Sequence, residues 1–303
     1  MTSDPLSLKI AGLGVRIDLN GLRLSRRPGH YGPFFADSAS PDVRLAVVEE
    51  DRPTGRDRPP DFEVPGHWRL HRENGRWVIE IQDLMTGRIN RVAEMDAGLD
   101  KGLLRLGPEA QFDGSGRPIF KRSAGRALAS ILDPLLRIIL LDRLGRQDGL
   151  MLHAAAVDLG GIGVVFAGPS GTGKSTLSRL YAAHCPGARI IGDEHIILRS
   201  WNGQWALHGS PWPGIGFAVS PGGVPLSRVY VIQHDTSNRI YQRKASATFT
   251  ELLAQAFLPR WSEEALAGAL CRIGELAQGP TKGLGFVNTQ DVIEYVAKEI
   301  END

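Results

Sequence analysis

Eight consecutive residues, Gly168 to Ser175, read GPSGTGKS and match the pattern G-x-x-x-x-G-K-[ST], the Walker A motif, at every fixed position. The chemistry they fit is phosphate binding. Glycines free to take φ > 0 let the backbone approach a phosphate closely, and the N–H groups of such a loop converge with the N-terminus of the following helix on β- and γ-phosphates. Lys174 supplies a point charge to the β/γ oxygens, and the Ser175 hydroxyl is placed to ligate Mg²⁺. The expected nucleotide-binding set is therefore Gly168, Ser170, Gly171, Thr172, Gly173, Lys174, Ser175 and Thr176, with ATP and Mg²⁺ as the bound species. Nineteen positions beyond Lys174 stand Asp193 and Glu194, adjacent carboxylates of a kind that hold Mg²⁺ or take a proton.

These residues need a strand leading into the loop and a helix leading out. The apolar run Ile162 to Ala167 predicts the first and Ser175 to Ala183 the second. Another strand-like run, Leu150 to Leu159, is separated from Ile162 only by Gly160 and Gly161, too short a link for a parallel crossover. The loop is thus expected to follow a hairpin, not a βαβ unit. Ala188 to Gly192 reads as a strand that delivers Asp193 and Glu194 at its end. Thr248 to Phe257 and Ser262 to Leu276 show helical spacing, Glu263 and Glu264 suiting the first turn of the latter, and Asp291 to Glu301 is a short amphipathic closing helix. Such helices cover a sheet or make subunit contacts, which leaves a homo-oligomer open. The stretch His208 to Gly223, with Trp212 between two prolines, predicts either a loop that folds over the nucleotide or the acceptor or a structural turn.

Up to about residue 120 the pattern is different: short strands with turn chemistry and no long helical run. His67 to Arg72 and Trp77 to Ile81 alternate around Glu73, Asn74 and Gly75, a hairpin signal, and further strands are expected at Ser7 to Ile10, Val43 to Val48 and Arg88 to Val92. Glu50 to Pro60 is polar and proline-rich and reads as a mobile, solvated loop. His30 and His67 are isolated, and the charged residues here read as ordinary solvated faces without chemistry. From Ser123 to Gly145 helical spacing begins, with Leu128, Ile131, Leu135 and Ile138 on one side and a break or a second helix start at Asp133 and Pro134. The expected domains are a β-rich one at residues 1–122 and a catalytic one at 123–303.

Taken together, Leu152-His153-Ala154, the Gly160-Gly161 hairpin, GPSGTGKST and Gly192-Asp193-Glu194 resemble the catalytic domain of HPr kinase/phosphorylase and its wider family of HPr-kinase-like proteins. The likeness covers roughly residues 150 to 200 and extends more faintly through His208 to Gly214 and Pro225 to Ile232. It implies an α/β fold with the phosphate loop on a mixed sheet, similar to the nucleotide-binding domain of phosphoenolpyruvate carboxykinase, and an activity that phosphorylates a serine hydroxyl. In that family the acidic pair is usually Asp-Asp, the first acting on the seryl hydroxyl and the second helping with metal. The resemblance therefore implies that Asp193 faces the acceptor and that Glu194 joins Ser175 at the metal. The family histidine falls on His153, implying a catalytic group that reaches a phosphate or orients Asp193; a buried, satisfied histidine is the alternative. The RPGRN-type segment that true HPr kinase/phosphorylases carry near the C-terminus has no counterpart, since Gly279 to Gly285 stands there instead. Neither HPr as substrate nor phosphorolysis is implied.

Phosphoryl transfer needs positioning and charge more than a strong base, and an extra cation near the γ-phosphate is commonly worth about 10³ or more in rate. Arg239, Arg243, Lys244 and Lys282 are the candidates. The 35 basic and 34 acidic side chains nearly cancel, which argues against nucleic acid or a membrane surface as partner. No apolar run approaches the roughly 18 residues of a membrane span and Met1 to Leu8 lacks signal-peptide regions, so a cytoplasmic location is expected. Cys185 and Cys271 lack metal-ligand spacing and read as packing residues. The leading expectation is an ATP-dependent kinase acting on a serine of a small protein or peptide. Relatives of the family occur beside peptide-modification genes, which makes a precursor peptide one candidate. The alternatives are a small-molecule kinase and a non-catalytic ATP-binding regulatory or assembly module; GTP or pyrophosphate as donor stays open.

Overall fold

A computed structural model describes residues 5–25, 29–37, 40–115, 117–121, 125–214 and 220–301, apart from the side chains of Phe112 and Lys121. The fold is mixed α/β, and the chain divides into two compact units, Met1–Leu140 and Leu141–Asp303. In the first, β1 (Leu6–Ile10), β2 (Leu13–Asp18), β3 (Val43–Glu49), β4 (Phe62–Val64), β5 (Trp68–Glu73), β6 (Arg76–Gln82), β7 (Ile89–Met95) and β8 (Lys101–Leu106) form one sheet. Its order is β1-β2-β3-β8-β7-β6-β5-β4, with parallel pairing only at β2–β3 and β3–β8. The β5–β6 turn is the expected one: Asn74 and Gly75 take φ of 50° and 73°, the paired left-handed conformations that a two-residue hairpin favours. A separate hairpin pairs β9 (Glu109–Phe112) with β10 (Pro118–Lys121).

The helical run breaks at Pro134 into α1 (Leu128–Leu132) and α2 (Leu135–Arg146). The division between the units falls inside α2, later than the change of pattern at 122/123, and residues 122–124 lie outside the described residues. The reason is local: Leu24 bridges Arg126, and the Tyr31 hydroxyl donates to Asp133 Oδ1 at 2.6 Å, so α1 is tied to the first unit. The stretch Glu50 to Pro60 contains no strand, but it is less solvated than its composition implies. Pro53 is buried, and the Arg56 guanidinium is held by Glu73 at 2.9 Å and Glu94 at 3.2 Å.

The second unit is built on β11 (Gly149–Leu159), a long strand shared by two sets of neighbours. Its first half pairs with β14 (His195–Trp201) and β18 (Ala256–Phe257); its second half pairs with β12 (Gly163–Ala167) and β13 (Ala188–Gly192). β12 runs parallel to β16 (Gly222–His234), which runs parallel to β19 (Thr281–Phe286). β15 (Gln204–His208) links β14 to β16, and β17 (Arg239–Tyr241) forms the far edge. Strand alternation sorts the side chains onto two faces. Ala154, Ala156, Val165, Ala167, Val229 and Val231 point to one core together with Leu252 of α4 (Ala245–Gln255) and Ile273 of α5 (Glu263–Gln278). Ala155, Val157, Val164, Phe166, Tyr230 and Ile232 point to the other, with Leu177 of α3 (Lys174–His184) and Val296 of α6 (Asp291–Glu301).

Two expectations shift in detail. The helix predicted to reach Phe257 stops at Gln255, because Ala256 and Phe257 pair with Leu152 and Met151 of β11. Cys185 is half-buried, whereas Cys271 is exposed on α5 and packs nothing away from solvent. Among the described residues no helix is long and apolar enough to cross a membrane.

Candidate active site

The loop Gly168 to Gly173 joins the end of β12 to the start of α3. The hairpin before it is closed by Gly160 and Gly161 at φ of 71° and 99°, with the Gly161 N–H donating to Asp158 Oδ1 at 2.6 Å. A side chain at either glycine would strain that backbone. At the far end of the loop Gly173 caps α3 with φ of 99°, and a Cβ there would also lie 2.6 Å from Phe286 Cζ. Conformation and space both exclude any other residue.

α3 begins at Lys174, so its unpaired N–H groups open onto a cavity of about 280 Å³ lined by the loop residues Ser170, Gly171 and Gly173, by Lys174, Ser175 and Thr176, and by His153, Asp193 and His234. The Lys174 ammonium is buried and donates to the carbonyls of Gly168 (2.7 Å) and Pro169 (3.2 Å). Burial holds it below the ordinary lysine range, while Asp193 and Glu194 draw it back up. Thr172 does not line the cavity; its hydroxyl closes the loop by donating to Pro169 O at 2.7 Å.

Asp193 follows the last residue of β13, is buried, and accepts a hydrogen bond from Ser178 Oγ at 3.2 Å. Ser178 lies one turn beyond Lys174 on α3, so one helix face supplies both the cation and the group that fixes the carboxylate. Glu194 is half-buried and does not line the cavity, although its backbone carbonyl anchors β11 by accepting from Ala154 N at 3.2 Å. His153, on β11, is half-buried and lines the cavity; burial and the nearby Lys174 hold its imidazole below the ordinary histidine value, against the pull of Glu194 and Asp193. A histidine so placed is neutral at neutral pH.

The four candidate cations are elsewhere. Arg239 is bonded to Asp235 at 2.6 Å, Arg243 to Glu251 and Lys282 to Glu299, while Lys244 stands before α4; none lines the cavity. Their neighbours explain this, because each arginine and Lys282 lies within reach of a carboxylate on its own part of the fold. The residue that does line it, unforeseen from the sequence, is His234 at the end of β16, with its ring 5.2 Å from that of Phe286. The only available signal was its position at the close of an apolar run. Ser178 was also missed, although the spacing of four from Lys174 marks it. Trp212 is buried and stays off the cavity; its carbonyl meets His195 Nδ1 at 3.1 Å, and residues 215–219 of the same loop lie outside the described residues.

Mg²⁺ fits the donors that are present. It takes one or two carboxylates with phosphate and water oxygens, and Ser175 and Asp193 line one cavity, although no cluster of three His, Cys, Asp or Glu side chains suited to a metal exists among the described residues. No protein-family model matches the chain, and no curated protein matches it.

Proposed function

We propose that the chain is an ATP-dependent phosphotransferase of the HPr-kinase-like, carboxykinase-like type, moving the γ-phosphate to a serine hydroxyl of a peptide or small protein. The observation that carries the reading is the meeting of Lys174, Ser175 and the buried Asp193 around one cavity at the N-terminus of α3. Nucleotide binding alone needs no fixed carboxylate opposite the lysine. The loop N–H groups and Lys174 bind the β- and γ-phosphates, and Ser175, with phosphate and water oxygens, would hold Mg²⁺, which when bound would neutralise charge developing on the phosphoryl oxygens. Asp193 Oδ1 is engaged by Ser178, which leaves Oδ2 to orient the acceptor hydroxyl and take its proton late in transfer. His153 acts as a neutral hydrogen-bonding group beside them, and His234 lines the same cavity.

The test is transfer from γ-labelled ATP to serine-containing peptides by the purified chain. Label on serine is expected, and Asp193→Asn should lower the transfer rate by about 10² or more while ATP still binds. ATP binding without transfer to any hydroxyl acceptor would overturn the reading in favour of a non-catalytic module.

A further inference from the structure

A second cavity lies wholly within the first unit. At about 860 Å³ it has roughly three times the volume of the one at Lys174. Its walls come from the loop after β3 (Arg52, Pro53, Thr54), the start of β7 (Ile89, Asn90) with Arg88 before it, and Phe120 of β10. The walls are built against one another. A Cβ on Gly55 would overlap Ile89 Cδ1, and one on Gly107 would lie 2.9 Å from Pro53 Cδ, so the loop seats on β7 and on the turn after β8 at two glycines where nothing larger fits.

Arg56, Arg69, Arg105 and Arg126 each have a carboxylate partner, whereas among the described residues neither Arg52 nor Arg88 is in an ion pair. Asp51 also lines the cavity, leaving an excess of one positive charge on its wall. The Arg88 guanidinium sits 4.9 Å from the Phe120 ring centroid, a stacking that orients it while its N–H groups stay available. Beside it Pro53, Ile89, Pro108 and Phe120 offer apolar surface. Two guanidiniums in no ion pair, on a wall with one net positive charge and beside apolar surface, complement a carboxylate joined to an apolar group.

We propose that this cavity is a binding site for an organic carboxylate whose anionic group meets Arg52 and Arg88 and whose apolar portion packs on Phe120 and Ile89. The site is independent of the phosphotransfer reading, since it uses no residue of the second unit. Such a ligand is either a free aromatic acid or the acidic, apolar side chains of a peptide, and the two are separated by the probes.

The experiment uses the full chain with 2-naphthoate, with a labelled peptide alternating glutamate and leucine, and with inorganic phosphate. Binding of naphthoate or of the peptide is expected, weakened about ten-fold or more in Arg52→Ala/Arg88→Ala, with phosphate weaker than either. ATP affinity of the same variant should be unchanged, which separates loss of the site from loss of the fold; Arg88→Gln alone gives a milder change should the double variant unfold. Naphthoate binding without the peptide identifies a small-molecule site, and peptide binding without naphthoate a polypeptide one. Absence of both, or binding indifferent to Arg52 and Arg88, would overturn the proposal, as would phosphate binding as tightly as naphthoate.

Discussion

Lys174 is held by two carbonyls of its own loop and by the field of two carboxylates, so its ammonium is poised on the backbone that phosphates must approach. Lys174→Ala is expected to weaken ATP binding about ten-fold or more, the scale of a lost charge-assisted hydrogen bond, as titration calorimetry would show. His153 makes a contrasting case. Its pKa is depressed, so it gains charge only below the ordinary histidine value of 6.5. If it works as a neutral group, His153→Gln should keep most of the transfer rate at pH 7 to 8, His153→Ala should not, and neither should move the alkaline side of the pH profile. Wild-type-like rates in the alanine variant would leave it a packing residue. At this scale the sequence was readable where a motif fixes spacing, as for Ser170, Lys174, Ser175 and Asp193, which line one cavity. His234 was not readable because its place in the cavity comes from the parallel pairing of β16 with β12, a contact between distant parts of the chain.

Elements were legible where period and turn chemistry agreed, as in β5–β6 around Asn74 and in β11–β12 around Gly160. They were missed where pairing partners are remote: β2 and β8 lie on either side of β3 in parallel register, and no local signal announces that. Two predictions belong to elements. His208 ends β15, where burial, with Arg199 nearby, pushes its pKa from 6.5 down to about 4. The folded state thus resists a proton that the unfolded chain accepts, so the stability tied to neutral His208 is complete above about pH 6.5 and is lost as pH falls towards 4, by about 3 kcal/mol at most. Denaturant titrations at several pH values should show this slope, and His208→Asn should flatten it. α2 and α5 meet through Gly145 and Gly268, where a Cβ on either would overlap backbone of the other helix. Alanine is the better helix former by about 1 kcal/mol, yet Gly268→Ala is expected to destabilise, because overpacking against backbone costs about 1–3 kcal/mol and has no side chain to displace. A raised melting temperature would contradict it.

On the scale of the whole chain, the unit boundary inside α2 decides where the molecule can be cut. A fragment beginning at Leu141 starts in mid-helix and exposes broken backbone hydrogen bonds, whereas one beginning at Pro134 keeps α2 entire with every described residue around Lys174. The fragment 134–303 is expected to bind ATP within about three-fold of the full chain, a difference below 1 kcal/mol by calorimetry, while 141–303 should melt lower. A folded 134–303 fragment unable to bind ATP would mean that the first unit completes the site. The position of β12 also has a kinetic consequence. Its register with β11 joins Ala154 to Ala167, 13 positions apart, whereas its register with β16 joins Ala167 to Val231, 64 apart. Closing the longer loop costs about 1.4 kcal/mol more entropy, and parallel pairing is the slower kind. During refolding the β11–β12 hairpin should therefore gain hydrogen-exchange protection first, with β16 joining later. Until then the glycine loop hangs from a strand with one bare edge, and His234 is absent from the cavity, so ATP affinity should emerge in step with protection of Val229 and Val231. A nascent chain released before residue 222 would carry the whole phosphate motif and still be unable to use it.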